Sequence, residues 1–181
     1  QFYSRYSNRR TDAYGGSLEN RMRFPLEVYQ RVRELTGKDF LVCYRLSGRT
    51  YEPVETPLED VLELCRRLEE EGVDILHISG GTSETPSLVL RMIPPGAVPQ
   101  GCFAEISAAV KAEVSVPVIT VGRITAPDVA EAILAAGKAD FVALGRALLS
   151  DAYRREKSLS SRPQSIRHCI VCNQGCMQQI V

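Results

Sequence analysis

The sequence predicts an α/β fold of the (β/α) TIM-barrel type, and three observations predict it. Four short apolar runs alternate with segments of helical periodicity, which is typical of a parallel sheet covered by helices. None of the runs is followed by the three-glycine fingerprint of a doubly wound, dinucleotide-binding sheet. A Gly-Arg pair follows each of the last two runs, at the place where barrels commonly bind a phosphate.

The first half of the chain contains two expected helices and two expected strands. Ser17 is a favourable helix N-cap residue, and Gly37 is a common helix stop. The strands are short apolar runs that end at Ser47-Gly48 and at Gly80-Gly81. The predicted elements are a helix over residues 17–36, a strand near 40–46, a helix over 58–71 and a strand near 74–79.

The second half repeats this alternation after a long segment without clear periodicity. Residues 82–100 are rich in proline, and we expect a loop there, since long loops inside a compact domain are usually functional. The predicted elements that follow are a helix over residues 102–113, a strand near 117–121, a helix over 127–136, a strand near 140–144 and a last helix that starts near Ala147.

Composition and charge are those of an ordinary globular segment and restrict the classes of function. The chain has 181 residues, is 44% hydrophobic and carries 22 basic and 22 acidic residues. Zero formal charge argues against nucleic acid or an anionic membrane as the main partner, and no apolar run approaches the ~20 residues of a membrane span. Six cysteines without a secretory signal favour a reducing compartment, so we expect a cytoplasmic protein.

Three cysteines near the C-terminus are spaced as Cys169-x2-Cys172-x3-Cys176. Thiolates at this spacing lie close enough together to bind one soft metal centre, and Fe–S clusters are held in this way. A cubane cluster needs four ligands, so a further one is expected from outside the motif. The alternative is a zinc site with His168, although its direct adjacency to Cys169 makes simultaneous ligation awkward. The other cysteines are interpreted as buried thiols: Cys43, Cys65 and Cys102.

Two Gly-Arg pairs, Gly122-Arg123 and Gly145-Arg146, follow directly after the last two predicted strands. Glycine lets a backbone N–H approach an anion, and arginine supplies a bidentate positive charge. A turn and a solvated side chain would explain a single pair, but two pairs at equivalent places favour phosphate binding. His77 lies within an apolar strand, where a lone histidine is more often a satisfied structural residue than a catalyst.

Residues 7–24, SNRRTDAYGGSLENRMRF, closely resemble the loop and helix motif of the Old Yellow Enzyme family, the NADH:flavin oxidoreductases. The resemblance continues through residues 45–48, 121–124 and 139–149, and so covers essentially the whole chain. With its cysteine motif the chain is similar to the iron–sulfur branch of that family. This branch includes 2,4-dienoyl-CoA reductases, enoate reductases and bile-acid-modifying NADH-dependent oxidoreductases.

The resemblance implies an FMN-binding barrel whose fifth to eighth strands are the four predicted here. Residues 1–160 would form the C-terminal half of that barrel, and residues 161–181 would begin the cluster-binding segment. Arg45 would face the pyrimidine edge of the flavin, where negative charge appears on reduction. The implied phosphate-binding residues are Gly122, Arg123, Gly145 and Arg146. The implied ligands of a 4Fe-4S cluster are Cys169, Cys172 and Cys176, with a fourth beyond Val181.

The activity implied by the resemblance is flavin-dependent oxidoreduction. NAD(P)H reduces the flavin, with electrons passing through the cluster in multi-domain members, and reduced FMN gives hydride to an activated C=C bond of an enoyl or dienoyl substrate. The family's proton donor lies in the first half of the barrel, so no catalytic residue is assigned here. The implied partners are that half and downstream domains for FAD and NAD(P)H. The chain is therefore expected to be a fragment; a non-catalytic half-barrel or a zinc-binding fragment is the alternative.

Overall fold

Four strands form one sheet in the computed structural model, which describes residues 1–84, 86–160 and 163–178. They are β1 (Cys43–Arg49), β2 (Ile75–Gly80), β3 (Val118–Thr120) and β4 (Phe141–Val142). Strands that are neighbours in sequence are neighbours in the sheet, and each of these pairs is parallel. The predicted array of consecutive parallel strands is confirmed, and the carboxyl ends of the four strands therefore lie at one edge of the sheet.

Helices connect these strands and cover the sheet. They are α1 (Leu18–Thr36), α2 (Leu58–Glu70), α3 (Pro86–Met92), α4 (Ala104–Lys111), α5 (Pro127–Ala135), α6 (Arg146–Ser150), α7 (Arg154–Leu159) and α8 (Gln174–Gln178), with a 3-10 turn at Pro163–Ser165. The helices predicted over 17–36, 58–71, 102–113 and 127–136 are confirmed within two residues at each end, and α6 begins one residue before the predicted start.

The ends of α1 follow from local chemistry that the sequence indicates. The Ser17 hydroxyl accepts a hydrogen bond from the backbone N–H of Asn20 at 3.3 Å, which satisfies one of the unpaired donors at the helix start. Gly37 ends the helix with φ of 75°, a conformation that glycine adopts without strain. Arg21 is buried on α1 and pairs with Asp60 of α2 at 2.7 Å, which connects the first two helices.

The main core lies between the helices and one face of the sheet. Leu76 and Ile78 of β2 and Leu68 of α2 are completely buried. Because side chains alternate along a strand, the residues between them point to the opposite face. In the described part of the chain that face is largely open, with Cys43, Arg45 and Phe141 exposed on it. The interpretation of Cys43 as a buried thiol is therefore wrong. The helices thus bury one side of the sheet and leave the other side accessible.

The expectation of an uninterrupted loop over residues 82–100 is wrong, because the short helix α3 lies within it. Pro86 begins this helix, where its missing N–H has no intrahelical partner to lose. Val89 buries its side chain, and the backbone at Met92 packs so closely on Gly81 that a Cβ on Gly81 would lie 2.2 Å from the Met92 nitrogen. This close approach requires glycine at position 81 and places the end of the helix over the end of β2.

We expect Leu68→Ala to lower the free energy of unfolding by about 2–5 kcal/mol, because it opens a cavity in a completely buried part of the core. Leu35→Ala is the matched control, since Leu35 is 70% exposed on α1 and its truncation should change the free energy of unfolding by less than about 0.5 kcal/mol. Urea unfolding followed by circular dichroism measures both. Equal losses for the two variants would contradict the core described here.

Candidate functional site

A cleft of about 520 Å³ opens at the carboxyl ends of the strands. Every strand of the sheet contributes to it, either directly or through the loop that follows. The residues that the sequence analysis singled out and that line this cleft are Arg45, Gly122, Arg123, Gly145, Arg146, Cys169 and Cys176. Cys172 is exposed and is not part of the lining. The fold therefore gathers residues that lie more than 120 positions apart in the chain.

The electrostatic character of the cleft is positive. Arg45, Arg123 and Arg146 line it, whereas no Asp or Glu occurs among the described lining residues. The remaining lining is mostly apolar, with Phe103 and Leu144 among the larger side chains. A concave, mainly apolar site with a few fixed cations is suited to a ligand that combines a flat apolar body with an anionic group.

The first Gly-Arg pair has an unusual backbone. Gly122 has φ of 122°, and a Cβ there would lie 2.7 Å from the Phe103 ring and 2.9 Å from Cys102 Sγ, so only glycine fits. Arg123 also has a positive φ, 52°, and donates from its terminal nitrogen to the Val98 carbonyl oxygen at 2.5 Å. Its Nε is buried and has no hydrogen-bond partner within the described residues. A ligand that reached this donor would supply the acceptor that it lacks.

The second Gly-Arg pair is arranged differently. A Cβ on Gly145 would meet open space, so no contact with the described residues requires glycine at this position. Arg146 is not a solvated side chain, since it donates to Asn173 Oδ1 at 2.5 Å and to the Pro94 carbonyl oxygen at 2.9 Å. The guanidinium thus joins the beginning of α6 to the segment after α3 and to the cysteine segment.

The cysteine segment, residues 166–178, lies against the cleft but does not gather its three thiols. Cys169 and Cys176 line the cleft while the Cys172 side chain is exposed. Within residues 1–84, 86–160 and 163–178, no three metal-ligating side chains converge on one point. The thiol arrangement predicted from the spacing is therefore not assembled in the described residues. The exposed Cys172 lies between Val171 and Asn173, which have positive φ values of 57° and 61°.

A buried carboxylate anchors the beginning of this segment. Asp151 accepts hydrogen bonds from Lys157 Nζ at 2.7 Å, from the Arg167 N–H at 2.9 Å and from the Tyr153 N–H at 3.2 Å. These donors, with Lys157 first, lower the pKa of Asp151 to about 2. His168 Nδ1 lies 2.8 Å from the Thr125 carbonyl oxygen, so its ring is directed to the loop after β3.

His77 lies beside Arg45 in the sheet register. Burial and the positive charge of Arg45 lower the pKa of His77 and keep the ring neutral at neutral pH. The expectation that His77 is a structural residue with its hydrogen bonds satisfied is wrong for one ring nitrogen. Its Nε2 is buried and has no hydrogen-bond partner within the described part of the chain. The ring lies on the open face of the sheet.

Several site residues were missed by the sequence analysis. Met92 at the end of α3 and Ile93 and Pro94 directly after it reach the cleft, and this stretch lacks any period that would have indicated its position. Asn173 was also missed, although asparagine is one of the few residues that tolerate a positive φ and lies between two of the singled-out cysteines. The tolerance of asparagine for positive φ was the one signal in the sequence that could have indicated Asn173.

The sequence profile of the NADH:flavin oxidoreductase / NADH oxidase family matches residues 1–164. A metal reductase of Desulforamulus reducens is 41% identical over 182 residues, which cover 99% of this chain and 26% of that protein. An NADH oxidase of Thermoanaerobacter brockii is 42% identical over 177 residues, which cover 98% of this chain and 27% of that protein.

Among solved structures, a 2-naphthoyl-CoA reductase in complex with 2-naphthoyl-CoA matches with a TM-score of 0.87 and 31% identity. The match covers 99% of this chain and 27% of that one, so it extends past residue 164 into the cysteine segment. The chain spans about a quarter of the length of these relatives. Together with the parallel strand order, the match confirms the predicted α/β fold class.

The pKa of about 2 at Asp151 predicts a specific pH dependence. A carboxyl has a pKa of about 3.9 in an unfolded chain, so the stabilisation by Asp151 is complete above that pH and is lost as the pH falls toward 2. We expect the urea concentration at the midpoint of unfolding to fall further between pH 5 and pH 2.5 in wild type than in Asp151→Asn. Asp39→Asn, at an exposed position, is the control and should follow wild type. Parallel curves for wild type and Asp151→Asn would contradict the anchor.

Proposed function

The chain belongs to the NADH:flavin oxidoreductase / NADH oxidase family, and we propose that it forms the cofactor-binding half of a flavin-dependent enzyme that reduces activated C=C bonds. The observation that carries this proposal is the cleft with Arg45, Arg123 and Arg146 at the carboxyl ends of parallel strands. In barrel enzymes this edge holds the active site, and the last two loops hold phosphate.

The described residues fit FMN. The cleft volume of about 520 Å³ lies within the usual range for a cofactor-sized ligand, and the lining contains three arginines without a described carboxylate. The buried, unpartnered Nε of Arg123 is a donor that a phosphate would satisfy. We assign the phosphate to the loops at 122–123 and 145–146, and the pyrimidine edge of the flavin to Arg45.

Bound FMN would supply hydride chemistry toward the β-carbon of an enoyl or dienoyl substrate, with NAD(P)H as the source of electrons, and the accompanying proton would come from a general acid. The part played by this chain is electrostatic. Arg45 would stabilise negative charge on the reduced ring system, and Arg123 with Arg146 would hold the phosphate end in place. Phe103 and Leu144 would exclude water from the apolar part of the cleft.

The proposed substrate is a small molecule with an activated alkene. The segment that contains α3 contributes Met92, Ile93 and Pro94 to the cleft, and we propose that it shapes substrate specificity. The 2-naphthoyl-CoA reductase, a structural relative, is in complex with the small molecule 2-naphthoyl-CoA.

The proposed partner is the remainder of a barrel, followed by domains for FAD and NAD(P)H. β1 and β4 are the outer strands of the sheet, and a second cleft of about 440 Å³ runs beside β1. Phe40, Leu41 and Phe141 are each more than half exposed near the open face. Further strands would bury these side chains and pair the outer strands, which are otherwise prone to association.

We propose a cytoplasmic location because the six cysteines of the chain suit a reducing compartment. All six thiols are free, and no disulfide joins any of them. Among the described helices, none has the length and apolar character that crossing a membrane requires.

We propose further that Cys169, Cys172 and Cys176 provide three of the four ligands of a 4Fe-4S cluster. Two of these thiols already face the cleft, and the spacing allows one turning segment to direct all three at a single cluster face. Cys172 has to turn inward for this, which the exposed position of its side chain permits.

The flavin proposal predicts that Arg146→Ala weakens FMN binding by about 10- to 100-fold, the effect of losing a hydrogen bond to a charged group. Fluorescence titration measures this, with Arg31→Ala on the exposed side of α1 as the control. A longer polypeptide that adds the preceding strands should bind FMN more tightly than this chain, because it completes the wall of the cleft. Unchanged affinity in Arg146→Ala would remove this arginine from the phosphate site.

The cluster proposal predicts that a polypeptide extended beyond Val181 acquires broad visible absorption after anaerobic reconstitution with iron and sulfide. Dithionite should bleach this absorption, and Cys172→Ser should lose most of it. Cys43→Ser is the matched control, since Cys43 is an exposed thiol on β1, outside the motif. Binding of one zinc ion without sulfide would reject the cluster and support the zinc alternative.

A further inference from the structure

Three segments of the chain meet at the guanidinium of Arg146. Its two terminal nitrogens donate to Asn173 Oδ1 at 2.5 Å and to the Pro94 carbonyl oxygen at 2.9 Å. Asn173 Nδ2 in turn donates to the Ile93 carbonyl oxygen at 2.7 Å. These three hydrogen bonds form a closed junction between the loop after β4, the segment after α3 and the cysteine segment.

Asn173 is well suited to its place in this junction. It is 6% exposed, and both its amide oxygen and its amide nitrogen have partners. Its φ of 61° lies in the left-handed region, which asparagine and glycine adopt more easily than other residues. Its neighbour on the other side of Cys172, Val171, is also buried and lines the cleft. The side chain of Asn173 therefore holds the backbone that carries the cysteines.

Arg146 can hold Asn173 and an anion at the same time. A guanidinium has five N–H donors, and the junction uses two of them, which leaves three for a ligand. Arg146 lines the cleft, whereas Asn173 does not. Asn173 therefore acts on a ligand in the cleft through its neighbours, and the guanidinium of Arg146 is the charged one among them.

We propose that Asn173 is a positioning residue that couples occupancy of the anion site at Arg146 to the placement of Cys169 and Cys176. An anion that fixes the guanidinium also fixes the partner of Asn173, and so restrains the cysteine segment. By thermodynamic linkage, ordering of the cysteine segment favours anion binding to the same degree. The inference rests on the proposed phosphate site, but its first test needs no bound cofactor.

The first test measures how fast iodoacetamide alkylates each cysteine of the full, metal-free chain, resolved by peptide mass spectrometry. Asn173→Gly keeps the left-handed backbone and removes both side-chain hydrogen bonds. It should raise the alkylation rates of Cys169 and Cys176 about tenfold, within the usual range of coupling effects. Asn173→Asp keeps the acceptor for Arg146 and should retain most of the protection.

Two controls separate positioning from general loss of structure. Gln174→Ala changes the exposed neighbour of Asn173 and should match wild type. Cys65 is completely buried in the core, and burial raises its pKa to about 12, so it should stay unreactive in every variant. Its alkylation reports unfolding of the whole chain within the same sample.

The second test examines the coupling, with inorganic phosphate as the probe because it is too small to shield the thiols as FMN would. Phosphate should slow alkylation of Cys169 and Cys176 in wild type, relative to chloride at equal ionic strength, but not in Asn173→Gly. In a protein that already carries Arg146→Gln, Asn173→Gly should change the alkylation rates little further, since the two residues act through one hydrogen bond.

Four outcomes would overturn the inference: equal alkylation rates in Asn173→Gly and Gln174→Ala, simultaneous labelling of Cys65, additive effects with Arg146→Gln, or no protection of wild type by phosphate. Failure of wild type to bind FMN would reject the flavin proposal instead. The alkylation comparison would still decide whether Asn173 positions the cysteines.

Discussion

Parallel pairing of the four strands is the constraint on which the other features depend. It places the carboxyl ends of all strands at one edge, so that the loops after them have to meet. The register also aligns Arg45 with His77, His77 with Ile119, and Ile119 with Phe141 in one row across the sheet. The cleft and its cations follow from this arrangement, since each loop begins where its strand ends.

The same sheet has two faces with different roles. Leu76, Ile78 and Val118 are buried against helices and supply the hydrophobic stabilisation of the chain. The alternate row carries Arg45 and the neutral His77, and it is open in the described part of the chain. A charged arginine next to a neutral imidazole would be costly inside a sealed core. Its presence on the open face agrees with a site that receives an anionic or strongly polar ligand.

The cysteine segment depends on the sheet and its loops for its position. Asp151 holds its beginning through the Arg167 N–H, and Asn173 holds its later part through Arg146. Both anchors are buried polar groups with complete or nearly complete hydrogen bonding, which gives directional contacts that apolar packing would not. The segment is consequently placed by the same loops that form the cleft, and the two proposed cofactor sites share residues.

The sequence by itself determined the elements and much of the site. Strand and helix periods, the cap at Ser17 and the stop at Gly37 are local properties, and the Gly-Arg pairs lie at fixed distances from their strands. Only the tertiary structure decided the rest. The end of α3 packs closely on Gly81, the contact between Arg146 and Asn173 joins residues 27 positions apart, and Cys172 is exposed while Cys169 and Cys176 line the cleft. These features arise from the path of the chain, since no local pattern records which distant donor will meet which acceptor.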